Sequence, residues 1–328
     1  MARKPTSRAR REPTDLSRAG VDAASTSLVG AILDRYAATF LFNELEPERV
    51  ETLSPGAVHL EGFVLPSRAA YRRDTAVEQL HHARVSLRRL RSILRTYGYL
   101  FSREWSRPLI RELSWFAGVL GAVRDLEVMR DAMTRALGDD ASTPEGAHVL
   151  ALVDAAIDAA NEVVIRERRG DRYAGLIEAV EGLRSPAHFS QRAKAPSGRA
   201  LRDGLRHAWR DVKRAARRAE RRATARRLHQ LRIELKRLQY AAEAVIPVYG
   251  EPVEHLAESA EHLQTRLGRA NDDVVARRWL KSLEVDDDAI LATVERLRTR
   301  HRRELQRTLK EWRHEFNDLA RTWAAVGL

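Results

Sequence analysis

Residues 81–91 read HHARVSLRRLR, and residues 229–239 read HQLRIELKRLQ. The two stretches share one histidine, two arginines and two leucines at matching positions. A second matched pair follows at nearly the same offset: LGAVRDLEV at 120–128 and LGRANDDVV at 267–275 share Leu, Gly, Asp and Val. Two blocks that recur in the same order predict an internal repeat, in which each half of the chain carries one copy of a helical unit.

The apolar residues extend this helical pattern over most of the chain. They recur at helical spacing, and the alternation typical of strands is nearly absent. We therefore predict an all-α fold of two four-helix bundles, at 24–184 and 199–323, within one domain of about 24–323. Residues 185–198, rich in Pro, Ser and Gly, would form the linker. The predicted helices are 24–46, 73–101, 104–137, 144–169, 171–184, 199–222, 225–247, 252–282 and 286–323.

The charge balance indicates a polyanionic partner. The chain has 58 Lys and Arg against 46 Asp and Glu, a formal net charge of +12. Such a field attracts nucleic acid, anionic membrane or phosphate chains. Because the chain contains no cysteine, it has no disulfides, thiolate metal sites or cysteine nucleophiles. Residues 1–20 are basic and lack the apolar segment of a secretory signal, so we interpret them as a disordered tail, with an additional polyanion-binding arm as the alternative.

No stretch of the sequence is long and apolar enough to predict a transmembrane helix. The expectation is therefore a cytoplasmic protein without a membrane partner. The oligomeric state is left open by the sequence.

The repeated helices carry basic stripes beside their leucine stripes. The first stripe consists of His81, Arg84, Arg88 and Arg91, and the second of His229, Arg232 and Lys236. Residues 81–95 contain no acidic residue that could pair with the arginines one turn away. A cationic stripe next to a core-facing stripe is expected to point into a groove between helices, where unpaired like charge favours a bound anion. The alternative is an ordinary solvated helix face. We include Arg89, Arg95 and Arg237, on the same helices, in the predicted site.

The helix that opens the second half carries a longer basic row. Its members, spaced by three or four residues, are Arg199, Arg202, Arg206, Arg210, Lys213 and Arg217. The row is about 27 Å long, which suits an extended phosphate chain better than a small anion. A third row on the last helix lies opposite an apolar face, and we interpret it as solvated; it consists of Arg296, Arg300, Arg303, Arg307 and Lys310.

Catalytic and metal-binding motifs are missing from the sequence. It has no P-loop, dinucleotide loop, H-E-x-x-H or G-x-S-x-G. His255, Glu258 and His262 share a helix face but do not form the ligand set of a di-iron bundle. We therefore expect a non-enzymatic protein without cofactor or metal. Aromatic residues, 6% of the chain, do not interleave with the basic rows, so nucleic acid would be bound through its backbone alone. Nonspecific nucleic-acid binding is the first alternative function, and a metal-dependent phosphohydrolase is a distant third.

The paired blocks resemble the signature of the CHAD family, the conserved-histidine α-helical domain. The first copy matches it at His81, Arg84, Val85, Arg88, Arg89, Leu90 and Arg91, and the second at His229, Arg232, Ile233, Lys236, Arg237 and Leu238. The Leu-Gly-x-x-x-Asp-x-x-Val element matches in both halves as well. The resemblance covers about residues 24–323.

The resemblance implies two bundles related by a pseudo-twofold axis, with a basic groove or cavity between them. It also implies binding of inorganic polyphosphate and association with polyphosphate granules. Many relatives are fused to a triphosphatase-like CYTH domain, which needs strands that this sequence lacks, so hydrolytic activity is not expected. Gln239 stands where the signature has an arginine, and the row from Arg199 to Arg217 is expected to offset that lost charge.

Overall fold

The helical periodicity of the sequence forms nine α-helices in the part of the chain that the computed structural model describes, residues 25–44, 76–194 and 197–327. These helices are α1 Ser25–Glu44, α2 Ala76–Thr96, α3 Arg103–Leu137, α4 Pro144–Arg168, α5 Asp171–Glu181, α6 Ser197–Arg221, α7 Ala225–Tyr249, α8 Glu251–Ser282 and α9 Asp288–Val326. The described residues contain no strand, only an isolated bridge between Phe101 and Phe189. The predicted all-α fold is confirmed. The predicted tail at 1–20 lies outside the described residues.

Capping side chains begin several of the helices. The Thr143 hydroxyl accepts a hydrogen bond from the Gly146 amide at 3.1 Å, and Pro144 occupies the first turn of α4. Asp287 accepts from the amides of Ala289 and Ile290 at the start of α9. Gly138 follows α3 with a φ of 60°, a value that favours glycine. These local signals explain why most predicted helix ends lie within a few residues of the observed ends.

Two observed segments differ from the sequence prediction. The predicted helix at 73–101 ends at Thr96 and is followed by a 3₁₀ turn at Gly98–Leu100. The predicted linker at 185–198 contains 3₁₀ turns at Pro186–His188 and Gln191–Lys194. It is fastened to the 3₁₀ turn that follows α2, because the Ser190 amide donates to the Leu100 carbonyl at 2.8 Å. The composition of the linker could not predict this attachment, which depends on a distant part of the chain.

Corresponding helices of the two halves pack against each other. The pairs are α1 with α6, α2 with α7, α3 with α8, and α4 with α9. The leucine stripes of α2 and α7 lie in one continuous core, in which Leu87, Leu90, Leu235 and Leu238 are all fully buried. This pairing agrees with an internal repeat, although the pseudo-twofold axis and the division into two bundles stay predictions. The two cationic helices α2 and α7 are therefore neighbours.

Tyr97 joins the two halves next to this contact. Its fully buried ring ends in a hydroxyl that donates to the Ala241 carbonyl of α7 at 3.2 Å. Gly204 of α6 makes room for the ring, since a Cβ atom at that position would lie 2.3 Å from Tyr97 Cε1. A second, smaller core at the far ends of α3, α4, α8 and α9 adds another contact between the halves; it includes Met129, Met133, Val149, Val153, Ala276, Leu280, Val294 and Leu297. The described helices include none with the length and apolar character needed to cross a membrane.

Candidate functional site

The contact between α2 and α7 brings the two repeated basic stripes together. Burial, followed by the positive charges of Arg88, Arg232 and Arg84, lowers the pKa of Lys236 to about 5. The arginines that act on Lys236 come from both halves of the chain, so basic side chains of the two halves lie near one another. We call Arg84, Arg88, Arg232 and Lys236 the central cluster. The sequence analysis assigned these four residues to one site, and in the structure they lie close enough to interact electrostatically.

Two helix glycines allow the central arginines to lie close to the neighbouring helices. A Cβ atom added at Gly121 of α3 would lie 3.4 Å from Arg84 Nη2. The matching atom at Gly268 of α8 would lie 3.2 Å from Arg232 Nε. A glycine inside a helix weakens that helix, so it is usually explained by a close approach of this kind. The glycine that recurs in both repeats therefore leaves the space that each arginine side chain occupies.

An aspartate lies one helical turn after each glycine. Arg84 Nη2 donates to Asp125 Oδ1 at 2.9 Å, and Asp272 interacts electrostatically with Arg232. Residues four apart share a helix face, so the glycine and the aspartate meet the same guanidinium. The Leu-Gly-x-x-x-Asp element thus positions the arginines of the first repeated block. Its recurrence was visible in the sequence, but its contact with the basic stripe depends on helix packing.

Burial makes the ligand-free cluster electrostatically costly. It is the largest cause that lowers the pKa of Arg84 and of Arg232, and nearby cations add to it. Burial, together with the charge of Asp125, raises the pKa of Asp272 to about 6, against the opposing effect of Arg232. The buried Nε atoms of Arg84 and Arg232 have no hydrogen-bond partner among the described residues. A bound anion would relieve this accumulation of positive charge.

Arg89 and Arg237 occupy ion networks beside the central cluster. Arg89 pairs with Glu243 at 2.9 Å, and its guanidinium lies 5.3 Å from the centre of the Tyr36 ring. Arg237 pairs with Glu234 at 2.8 Å and with Asp211 at 3.4 Å. These acids come from α6 and α7, and the arginine stripe alone could not predict them. The ligand role of Arg89 and Arg237 stays a prediction, and both charges are already paired.

The replacement of the signature arginine by Gln239 lies inside the helix packing. Gln239 is buried and donates through Nε2 to Glu243 Oε1 at 2.9 Å. Glu243 is therefore shared between Gln239 and Arg89. The substitution removes a charge from the second copy, but the side chain points into this network.

The other predicted residues of α2 and α7 extend away from the cluster. His81 and His229 are exposed near the beginnings of their helices. Partial burial of the ring, then the positive charges of Arg124, His82, Arg84 and Arg88, lowers the pKa of His81. Arg91 and Arg95 continue the cationic surface along α2. Burial lowers the pKa of both, and the charge of Arg95 acts on Arg91.

The row on α6 lies beside a cavity and not around the central cluster. Arg199, Arg202 and Arg217 are exposed on this helix. Arg206, Arg210 and Lys213 line a groove of about 770 Å³, which also includes Arg95 of α2. We call this cavity the lateral groove. The predicted row on α6 therefore meets Arg95, which lies on α2 one turn beyond the basic stripe that ends at Arg91.

The third row and the histidines of α8 show ordinary surface contacts. Arg296 lies 3.4 Å from Asp140, and Arg300 donates to the Ala136 carbonyl at 2.6 Å. His255 and His262 are exposed, and each lies 3.8 Å from a single glutamate, Glu251 and Glu315 respectively. Over the described ranges, no group of three or more histidines and carboxylates is arranged to hold a metal ion.

Comparison with known proteins identifies the family. The family model of the CHAD domain matches residues 64–281, which contain both pairs of repeated blocks. The chain belongs to the CHAD family. The sequence resemblance is thus confirmed over a shorter range than the 24–323 expected from the motifs.

Two proteins of known sequence are similar to this chain. Two uncharacterized proteins of Mycobacterium tuberculosis, MT2285 of strain CDC 1551 and Rv2226 of strain H37Rv, are each 32% identical to the chain over 235 residues. The match covers 67% of this chain and 43% of each relative, so the chain spans less than half of their length.

Two solved structures share the fold of this chain. The CHAD domain of the plant Ricinus communis superposes with a TM-score of 0.66 at 22% identity, covering 98% of this chain and 97% of the plant one. PptA from Streptomyces chartreusis superposes with a TM-score of 0.67 at 18% identity, covering 91% of this chain and all of PptA. The CHAD fold of this chain therefore includes the helices on both sides of the central cluster.

Proposed function

We propose that this CHAD domain binds inorganic polyphosphate without hydrolysing it, and that the central cluster holds the phosphate chain. The observation that carries the proposal is the convergence of four basic side chains from two helices, Arg84, Arg88, Arg232 and Lys236. The membership of the chain in the CHAD family supports the choice of ligand.

The geometry of the cluster favours a phosphate chain over a small anion. Arginine can offer two parallel N–H donors to phosphate oxygens and stays charged near neutral pH. Cations continue from the central cluster along α2 to Arg91 and Arg95, so successive phosphates would meet successive side chains. Release of counterions from the polyanion would supply much of the affinity, which is expected to fall steeply as salt rises.

The position of the cluster favours polyphosphate over duplex nucleic acid. Arg84 keeps only 18% of its side-chain surface exposed, and Lys236 is partly buried between helices. A single phosphate chain is narrow enough to reach side chains at this depth, whereas a duplex presents its phosphates on a wide and stiff surface. Backbone binding of nucleic acid is the second function to be tested, because the chain as a whole is strongly basic. At the level of the cell, the proposal places the protein in the cytoplasm at polyphosphate granules.

Competition measures which polyanion is preferred. Labelled long-chain polyphosphate is bound to the full chain at near-physiological salt, and unlabelled polyphosphate or duplex DNA is added. We expect polyphosphate to displace the label far better per phosphate. Equal competition by DNA would refute a dedicated polyphosphate site. Release of orthophosphate on addition of Mg²⁺ or Mn²⁺ would instead support the phosphohydrolase alternative.

A pair of substitutions tests whether the central cluster is the site. The double variant R84Q/R232Q removes two central charges without placing new carboxylates beside Asp125. Each lost charged hydrogen bond is worth about 1.5–3 kcal/mol, so affinity should fall at least about a hundredfold. The matched control is R302Q/R303Q, which removes two exposed charges of α9 that line a different surface groove and should have a small effect. If the two variants bind equally well, the paired motifs are structural and the polyanion binds elsewhere.

A further inference from the structure

The lateral groove combines an aromatic wall with a cationic rim. Trp323 of α9 stacks on Trp209 of α6, with ring centres 5.1 Å apart and planes inclined by 18°. Trp209 is 4% exposed, whereas Trp323 is half-buried, and both line the groove. The stack therefore contributes apolar ring surface to a cavity whose other lining residues are mostly charged.

Cations enter the groove from three separate elements. Arg206, Arg210 and Lys213 occupy one face of α6, because their spacing of four and three residues follows the helical turn. Arg95 comes from α2, and Arg192 from the turn Gln191–Lys194. Elements distant in sequence thus contribute basic side chains to one cavity. This distinguishes the groove from the solvated face of a single helix.

A carboxylate lies among these cations. Asp203 is the acid among the described lining residues, and its Oδ1 atom is 3.9 Å from Arg206 Nη1. A surface that served inorganic phosphate alone would be weakened by this negative charge. A carboxylate can, however, accept hydrogen bonds from the hydroxyl groups of a sugar.

The lateral groove has the chemistry of a site for an aromatic ring joined to phosphates. Its volume of about 770 Å³ lies within the range of about 300–1,000 Å³ found for small-molecule sites. We propose that the lateral groove binds a mononucleotide of the nucleoside di- or triphosphate class. The base would lie against Trp323, the phosphates against the cations of α6, and the ribose hydroxyls near Asp203. This assignment goes beyond polyphosphate binding and does not depend on it.

A free nucleotide fits this groove better than a single strand of nucleic acid. Proteins that bind single strands stack successive bases on successive aromatic side chains. The groove offers one tryptophan pair, and Trp209 is already covered by Trp323 on one side and by Phe316, 6.2 Å from its ring centre. Tyr99 also lines the groove, where its hydroxyl donates to the Ala200 carbonyl. The tryptophan pair therefore offers one stacking surface, which accommodates one base.

Paired probes separate the nucleoside from its phosphates. We would titrate the full chain with ATP and, separately, with inorganic tripolyphosphate, which has the same phosphate chain without a base. Stacking of one base is expected to make ATP bind about tenfold more tightly. Equal affinity for the two probes would refute the proposal, and so would tighter binding of a short single-stranded oligonucleotide than of ATP.

Substitutions then locate the ATP advantage. W323L keeps an apolar cover over Trp209 but removes the stacking surface, so the advantage of ATP over tripolyphosphate should disappear. The control W105A alters a half-buried tryptophan that stacks on His188 outside the groove and should keep the advantage. R206Q should weaken both probes alike. Near-ultraviolet circular dichroism would verify the fold of W323L, and an unchanged ATP advantage in the folded variant would overturn the assignment.

The central-cluster variant shows that the two sites are distinct. R84Q/R232Q is expected to lose polyphosphate binding and to bind ATP as the unmodified protein does. Loss of ATP binding in that variant would mean that the lateral groove is not a separate site. If polyphosphate binding fails in the unmodified protein while ATP binds, the proposed function is wrong and the nucleotide site stands.

Discussion

Replacing Gly268 by alanine tests whether the repeated glycine positions the central arginine. The new methyl group would lie 3.2 Å from Arg232 Nε and 3.5 Å from its Nη2 atom. Arg232 is partly buried between helices. Its guanidinium must therefore shift by a few tenths of an ångström, or its side-chain torsions must change, to accommodate the methyl group. The backbone of α8 itself accepts alanine without strain, since Gly268 has no positive φ.

The expected magnitudes differ for stability and for binding. Alanine in a helix interior is about 1 kcal/mol more favourable than glycine. A strained arginine rotamer costs about 0.5–1.5 kcal/mol, so the stability of G268A should be nearly unchanged. The displaced guanidinium would lose a charged hydrogen bond of about 1.5–3 kcal/mol to phosphate, which corresponds to polyphosphate affinity that is weaker by roughly tenfold or more.

Gly118 provides the matched control on α3. A Cβ atom at this exposed position would meet no atom within 4 Å, so G118A should raise the melting temperature and leave binding unchanged. G121A should be intermediate, because its methyl group would lie 3.4 Å from Arg84 Nη2. Thermal unfolding and polyphosphate titration are measured for all three variants. If G268A behaves like G118A in both assays, the glycine does not determine the position of Arg232 and the reasoning is refuted.

Two further predictions concern the charges of the central cluster and the packing of Tyr97. Polyphosphate affinity should rise as pH falls towards about 5, because Lys236 and Asp272 have ligand-free pKa values of about 5 and about 6 and a bound polyanion raises both. Calorimetry in buffers of different ionisation enthalpy should detect proton uptake on binding at neutral pH, reduced in K236M; equal uptake in both proteins would contradict this. G204A should destabilise the fold by about 1–3 kcal/mol despite its better helix propensity, because its methyl group would lie 2.3 Å from the Tyr97 ring. Urea unfolding measures this cost, and Y97L/G204A should recover part of it.

The parts of the fold that depend on local periodicity could be predicted from the sequence. Leu87, Leu90, Leu235 and Leu238 were expected to face the core, and all four are buried. The neighbouring basic stripes follow from the same helical geometry, which explains why the central cluster could be anticipated. The predicted helix at 73–101 was too long, because the sequence beyond Thr96 is still apolar while the chain turns at Gly98.

The partners of these residues depend on how distant helices pack, and they could not be predicted. Asp125 and Glu243 pair with arginines of α2 from other helices, although no acid lies within the stripe itself. The prediction that aromatic residues do not interleave with the basic rows was wrong at Trp209, which lies between Arg206 and Arg210. The sequence could not show that α9 brings Trp323 onto this tryptophan. One sequence signal did point to contacts between distant helices: Gly121 and Gly268 recur inside helices, where no turn requires a glycine.

The contact between α2 and α7 also has a consequence for the lifetime of the protein. It brings Arg84, Arg88 and Arg232 together, so repulsion among these three charges opposes the same interface that joins the two halves. A polyanion that neutralises them would stabilise the folded chain through mass action, whereas the empty protein would open more often. Proteases act on opened chains, so the amount of the protein would follow the supply of its ligand without any change in its synthesis.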